Sequence, residues 1–182
     1  YNNEYRKIYD GFEHYAKSDD SDFLFSRQVG KGEDLQNWLA EQDVTPQSIL
    51  DIGSDKGGML QPFKEIGCSV YGVEWCEKGR SYAEAKAIPT FKNLDDFIAQ
   101  GIKVDFIVMR DVIEHFIDLR DMERIGKLLT PKGYLHIYTP GVFVSSPYIL
   151  FQNAHTWQFI GATLEFVMEQ MSYEAETLDE QI

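Results

Sequence analysis

Cysteine is scarce in this chain, and that narrows its setting at once. Two residues, Cys68 and Cys76, flank one expected strand and make neither a disulfide framework nor a zinc site. A reducing cytoplasm is the compartment such usage suits. Long apolar runs are lacking too: nothing reaches the ~18 consecutive residues a membrane helix needs. The opening carries no basic segment followed by an apolar one, so neither a secretory leader nor membrane insertion is expected. Basic residues are few, with 17 Lys and Arg against 30 Asp and Glu and a net charge of −13. No local run gathers them, which excludes bulk nucleic acid as a partner and leaves a neutral or cationic small molecule, or a protein. Repeats and low-complexity tracts are lacking as well. What remains is a chain of 182 residues, 43% hydrophobic and 14% aromatic. A chain of this length buries about 70% of its unfolded surface, enough for one domain with one core.

The most informative stretch is Ser48 to Met59, SILDIGSDKGGM. Ile49, Leu50 and Ile52 supply the apolar run of a strand covered on both faces. Gly53 and Gly57 allow a tight turn and a close approach of backbone to ligand. A second strand, YGVEW, ends in Glu74, placed to accept two hydrogen bonds from a ribose diol. The layout describes a pocket for an adenosine-containing cofactor. Asp51 in the strand and Asp55 in the turn would repel a pyrophosphate but attract an ammonium group. The charges therefore favour S-adenosylmethionine over NAD.

Four blocks in order carry a resemblance to a known family. They are DIGSDKG, YGVEW, VDFIVMRDVIEHFIDL and LLTPKGYLHIYTPG. A weaker fifth, HTWQFIGATLEFVMEQMSY, has Ser172 and Tyr173 where a Gly-Phe pair is usual. The chain resembles the class I S-adenosylmethionine-dependent methyltransferases, and among them the small-molecule group that includes the ubiquinone and menaquinone methyltransferases. The resemblance implies an α/β fold: a Rossmann-like, doubly wound, mostly parallel sheet with helices on both faces. It implies cofactor contacts from Asp51, Gly53, Ser54, Asp55, Gly57, Glu74, Trp75, Asn93, Leu94, Arg110 and Asp111, with S-adenosyl-L-homocysteine as the product. One departure bears on function: Asp55 stands where the family loop has its middle glycine. An aspartate takes positive φ less readily than glycine, though better than most residues.

The alternation of strands and helices agrees with that fold. Residues 1–45 read as a helical or lid segment, with Tyr5, Tyr9, Phe12 and Tyr15 and a helix at Asp34–Gln42. Residues 46–182 read as the cofactor-binding part of the same single domain. Strands are expected at Ser48–Ile52, Ser69–Trp75, Pro89–Phe91, Val104–Met109 and Tyr134–Tyr138. The intervening helices span about Gly58–Ile66, Lys78–Lys86, a segment capped by Asn93, and one ending before Pro131. A last helix, about Thr156–Met171, leaves room for one further strand from Tyr173 to about Glu180, where the family closes with an antiparallel pair. With the opening YNNEYRKIYDG, this reads as a truncated segment of a longer chain with further domains.

Methyl transfer needs no nucleophilic side chain, but an acceptor proton needs a base. His115 and His155 are the catalytic candidates, because histidine titrates near neutrality. His136 alternates within a strand and reads as a core residue; His14 carries no usable signal. Asp111, Glu114 and His115 form a D-x-x-E-H cluster, and similar E-x-x-E-H runs with a later His bind a divalent metal in small-RNA 3′-end methyltransferases. The acidic composition does not suit RNA, and the expectation here is no metal. Phe143, Tyr148, Phe151 and Trp157 form the expected acceptor wall, with Arg110 facing an anionic substrate group. The reading is an enzyme methylating O, N or C of a small molecule. The alternative is a catalytically inactive scaffold or binding domain of the same fold in a longer protein, for which Asp55 and the short C-terminal end are the motives.

Overall fold

The computed structural model describes residues 21–142 and 155–178. Tyr5, Tyr9, Phe12, His14, Tyr15, Phe143, Tyr148 and Phe151, named above, lie outside them. Five strands form one sheet: β1 (Ser48–Ile52), β2 (Ser69–Val73), β3 (Thr90–Phe91), β4 (Val104–Arg110) and β5 (Leu129–Tyr138), in the order β3-β2-β1-β4-β5. The pairings β1 with β2, β1 with β4 and β2 with β3 are all parallel. β1 is the central strand, which is why Ile49 and Leu50 are completely buried. Such side chains contribute about 1.5–3 kcal/mol each when fully removed from water.

The residues divide into two compact units. The first, described over residues 21–109 and 128–136, holds most of the sheet and four helices: α1 (Ser21–Glu41), α2 (Gln61–Glu65), α3 (Glu77–Ala85) and α4 (Leu94–Ile98). Its core gathers Leu35, Leu39, Ile49, Leu60, Phe63 and Ile88, with Trp38 and Phe25 at its margin. α1 is much longer than the expected Asp34–Gln42, and Gly30 and Gly32 inside it explain why. Both weaken a helical pattern, at about 1 kcal/mol each relative to alanine. Gly32 is there because a Cβ would sit 2.3 Å from the carbonyl oxygen of Met59, so helix and turn meet backbone to backbone. Leu35 and Leu39 then carry α1 onto the sheet.

Strand five starts at Leu129, earlier than expected, and includes Pro131. Among the described residues β5 is an edge of the sheet, where a residue without an N–H costs no ladder bond. His136 is half-buried, with its ring 5.6 Å from that of Trp38 and 6.4 Å from that of Phe106, so it sits at the margin of the core rather than within it.

The second unit, described over residues 110–127, 137–142 and 155–178, contains α5 (Asp121–Gly126) and α6 (Gly161–Gln170). The strand expected from Tyr173 is corrected: residues 173–178 form none. The Tyr173 hydroxyl instead donates to the Met122 carbonyl at 2.6 Å, and its ring covers Gly126, so a side chain ties this segment down. Ser172, at φ 67°, ends α6 in the left-handed conformation, while the Tyr173 N–H returns to the Met168 carbonyl.

Candidate functional site

In the first unit the turn after β1 is built as a cradle. The Gly53 and Ser54 N–H groups both donate to the Val73 carbonyl, at 2.8 and 3.2 Å, tying the turn to the end of β2. Gly53 itself is exposed, leaving its backbone open. The Ser54 hydroxyl is buried with no hydrogen-bond partner among the described residues. Gly57 has φ 76° and starts the short 3₁₀ turn Gly58–Leu60. Glu74, 7% exposed, accepts from the Asp55 N–H at 3.1 Å through one oxygen and from the Cys76 N–H at 2.6 Å through the other. Both bonds are to a charged acceptor and fix the carboxylate's orientation.

Asp51 is 4% exposed at the end of β1. Burial above all, then the charges of Glu74 and Asp55, push its carboxyl up to about 7. Three carboxylates thus converge on the ends of two neighbouring strands. Lys56, also buried, reaches Asp55 at 3.4 Å.

Asp55 does take positive φ, at 45°. A non-glycine residue there costs of the order of 1 kcal/mol, and its side chain offsets that cost. Its carboxylate accepts from the Gln28 side-chain amide at 3.1 Å, while the Gln28 carbonyl oxygen accepts from the Gly58 N–H at 3.0 Å. Gln28, on α1, therefore clamps both ends of the turn.

In the second unit the feature is a histidine pair with an acid. Glu114 and His115 lie in the 3₁₀ turn Ile113–His115, with Glu114 2% exposed. One Glu114 carboxylate oxygen accepts from the Thr139 hydroxyl at 3.0 Å; the other is buried with no partner among the described residues. The Glu114 main-chain carbonyl accepts from the Thr156 and Trp157 N–H groups at 2.8 and 3.1 Å, and the Trp157 indole donates to the Phe116 carbonyl at 2.8 Å. These bonds hold His155 beside His115, ring centroids 4.9 Å apart. Burial raises Glu114 to about 7, against the lowering effect of its hydrogen bonds. Burial and the neighbouring His115 lower the pKa of His155, and Asp111 opposes them.

A family described as "Methyltransferase domain" matches residues 26–178. This chain belongs to that family. A ubiquinone biosynthesis O-methyltransferase from Chelativorans sp. (strain BNC1) is 29% identical over 99 residues, covering 50% of this chain and 39% of the relative. The human mitochondrial ubiquinone biosynthesis O-methyltransferase is 25% identical over 169 residues, covering 79% of this chain and 46% of its own length. The methyltransferase domain thus spans less than half the length of these curated relatives. Among solved structures, the plantazolicin methyltransferase BpumL bound to a triazolic desmethylPZN analog and SAH superposes with TM-score 0.66 at 18% identity, covering 90% of this chain and 71% of that one. A SAM-dependent methyltransferase from Archaeoglobus fulgidus gives TM-score 0.59 at 21% identity, covering 82% and 72%. Both likenesses show the Rossmann-like methyltransferase fold, as expected.

Within the methyltransferase domain, Asp51, Gly53, Ser54, Asp55, Gly57 and Glu74 gather around the turn. Trp75 follows Glu74, and its carbonyl accepts from Arg80. Asn93 caps α4, its side chain accepting from the Asp96 N–H at 2.8 Å, and Leu94 opens that helix. Arg110 stacks its guanidinium 3.7 Å over the Tyr138 ring. Asp111 is exposed, at φ 54°, outside the Glu114, His115 and His155 group. Of the D-x-x-E-H residues, Asp111 precedes the 3₁₀ turn while Glu114 and His115 lie in it, and His155 is brought beside them. Gln28 went unnoticed because a glutamine in a polar helix carries no signal. Replacing it with alanine is expected to weaken cofactor affinity about tenfold, the equivalent of one or two hydrogen bonds, with the circular dichroism spectrum unchanged. Titration calorimetry of Gln28→Ala with S-adenosylhomocysteine measures this; unchanged affinity would remove Gln28 from the site.

Proposed function

We propose that this chain transfers a methyl group from S-adenosyl-L-methionine to an oxygen, nitrogen or carbon of a small-molecule acceptor. The observation that carries the reading is the convergence of Asp51, Asp55 and Glu74 on one glycine turn, with the Asp51 carboxyl raised first by burial and then by the other two. A cationic ligand relieves that repulsion, whereas a dinucleotide pyrophosphate adds to it. Glu74 has its carboxylate oriented by two backbone N–H groups and suits a ribose diol. The exposed Gly53 backbone and the Ser54 hydroxyl offer further polar contacts. Bound there, the cofactor supplies an electrophilic methyl on a sulfonium.

Positioning and exclusion of water account for most of such a displacement. An acceptor that carries a proton on its reacting atom must lose it, and the Glu114, His115 and His155 cluster supports that task. Burial and the neighbouring His115 lower the pKa of His155, which favours the neutral imidazole that accepts a proton. The scaffold alternative rested in part on Asp55, and Gln28 and Glu74 hold Asp55 in the conformation the turn requires. Among the described residues no helix is long and apolar enough to cross a membrane. Free Cys68 and Cys76 suit a reducing cytoplasm.

Calorimetry of the purified chain tests the reading. Binding of S-adenosylmethionine and S-adenosylhomocysteine at micromolar concentration, with none of NAD, is expected. Absence of heat from a folded sample would favour the scaffold, and NAD binding would overturn the cofactor assignment.

A further inference from the structure

We infer that Arg80 is the residue that positions Glu74 for the cofactor ribose, which deepens the proposed transferase reading and rests on it. Arg80 lies in the first turn of α3 and is half-buried. Its Nη1 group donates to the Glu74 carbonyl at 3.0 Å and also to the Trp75 carbonyl. Both residues stand between the end of β2 at Val73 and the start of α3 at Glu77. Their carbonyls fall outside both ladder and helix, so their donor must come from elsewhere. One guanidinium nitrogen carries two hydrogens in a fixed plane and serves both at once.

The consequence for the site is that Glu74 is held from every side. Its N–H donates to the Phe91 carbonyl at 2.9 Å, and its carbonyl accepts from Arg80. Its carboxylate oxygens accept from the Asp55 and Cys76 N–H groups. A carboxylate oxygen accepts two hydrogen bonds, so each can take a ribose hydroxyl beside its N–H. The carboxylate's own bonds set its rotation, whereas Arg80 fixes the peptide from which the side chain hangs. That fixing is only as good as the seat of α3, which is close. A Cβ on Gly79 would sit 2.8 Å from the Asp55 carbonyl oxygen, and the Arg80 N–H donates to the Cys76 carbonyl at 3.0 Å. Arg80 is thus a positioning residue, and its effect on the ligand passes through Glu74.

The test is calorimetry of the full chain with S-adenosylhomocysteine and with its 2′,3′-dideoxy counterpart, which lacks the diol. Arg80→Met keeps the stem and removes the donors; it should bind S-adenosylhomocysteine about tenfold more weakly than the parent and the dideoxy ligand equally well. Adding Arg80→Met to Glu74→Ala should cost nothing beyond Glu74→Ala alone. Equal loss for both ligands, or loss for neither, overturns the inference. If Arg80→Met does not fold, Arg80→Lys carries the same comparison, with a smaller loss again confined to the diol ligand. The parent chain needs no variant: nuclear magnetic resonance with nitrogen-labelled arginine should resolve separate Nη–H signals for a held Arg80 guanidinium, and one averaged signal overturns the contact. Unaffected variants of a parent that binds S-adenosylhomocysteine defeat this inference and leave the transferase reading standing. A parent that binds neither ligand strikes that reading, and this inference with it.

Discussion

Glu74→Ala is expected to lower affinity for S-adenosylhomocysteine at least 100-fold. The substitution removes a ribose acceptor together with the two charge-assisted bonds to the Asp55 and Cys76 N–H groups that shape the turn. Bonds to a charged group are worth about 1.5–3 kcal/mol, and a buried N–H left unpaired costs a further ~1–3 kcal/mol. Two bonds to a charged group, even at the lower end of that range, come to about 3 kcal/mol, above the ~2.7 kcal/mol that corresponds to 100-fold. Glu74→Gln keeps the shape and one acceptor oxygen, and should lose less. Calorimetry of both variants measures the difference; an alanine variant within threefold of the parent would show that Glu74 does not touch the cofactor.

The second large effect concerns pH. Asp51 is raised to about 7 in the folded chain, and an unfolded aspartate titrates near 3.9. Between those values the folded state holds a proton that the unfolded state has released. Stability contributed by the neutral carboxyl is thus complete below about pH 4 and is lost as pH rises through 7. The loss is of the order of 4 kcal/mol across that window. Glu114, raised to about 7, adds a loss of the same sign. Asp51→Asn stays neutral throughout, so its melting temperature should fall less than the parent's between pH 4.5 and 7.5. Comparing the two chains cancels the contributions of the other titrating groups. Parallel pH profiles would mean that Asp51 is charged in the folded state.

Much of the sheet was legible because strands β1, β2 and β4 are apolar runs bounded by turn residues. Asn93 was legible as a helix cap from its place before Leu94, and the cap bond to Asp96 is present. Errors arose where a local rule was outweighed. Gly30 and Gly32 hid half of α1, since a glycine chosen for close backbone contact looks like a helix breaker. Pro131 delayed the expected start of β5, since proline stops an interior strand but not an edge. Tyr173 suggested a strand, but its hydroxyl bond to Met122 substitutes for a ladder.

The sequence by itself determined the order of strands and helices, the glycine turn, and the acids Asp51, Asp55 and Glu74 at its rim. Each of these rests on residues close together in the chain, where periodicity and turn chemistry act. Only the tertiary structure decided that Gln28 clamps Asp55, and that His155, not Asp111, joins Glu114 and His115. Those partners are distant in sequence, and nothing in a residue's neighbours records which remote side chain folding will bring against it. Hydrogen bonds such as those from Thr156 and Trp157 to Glu114 make that choice.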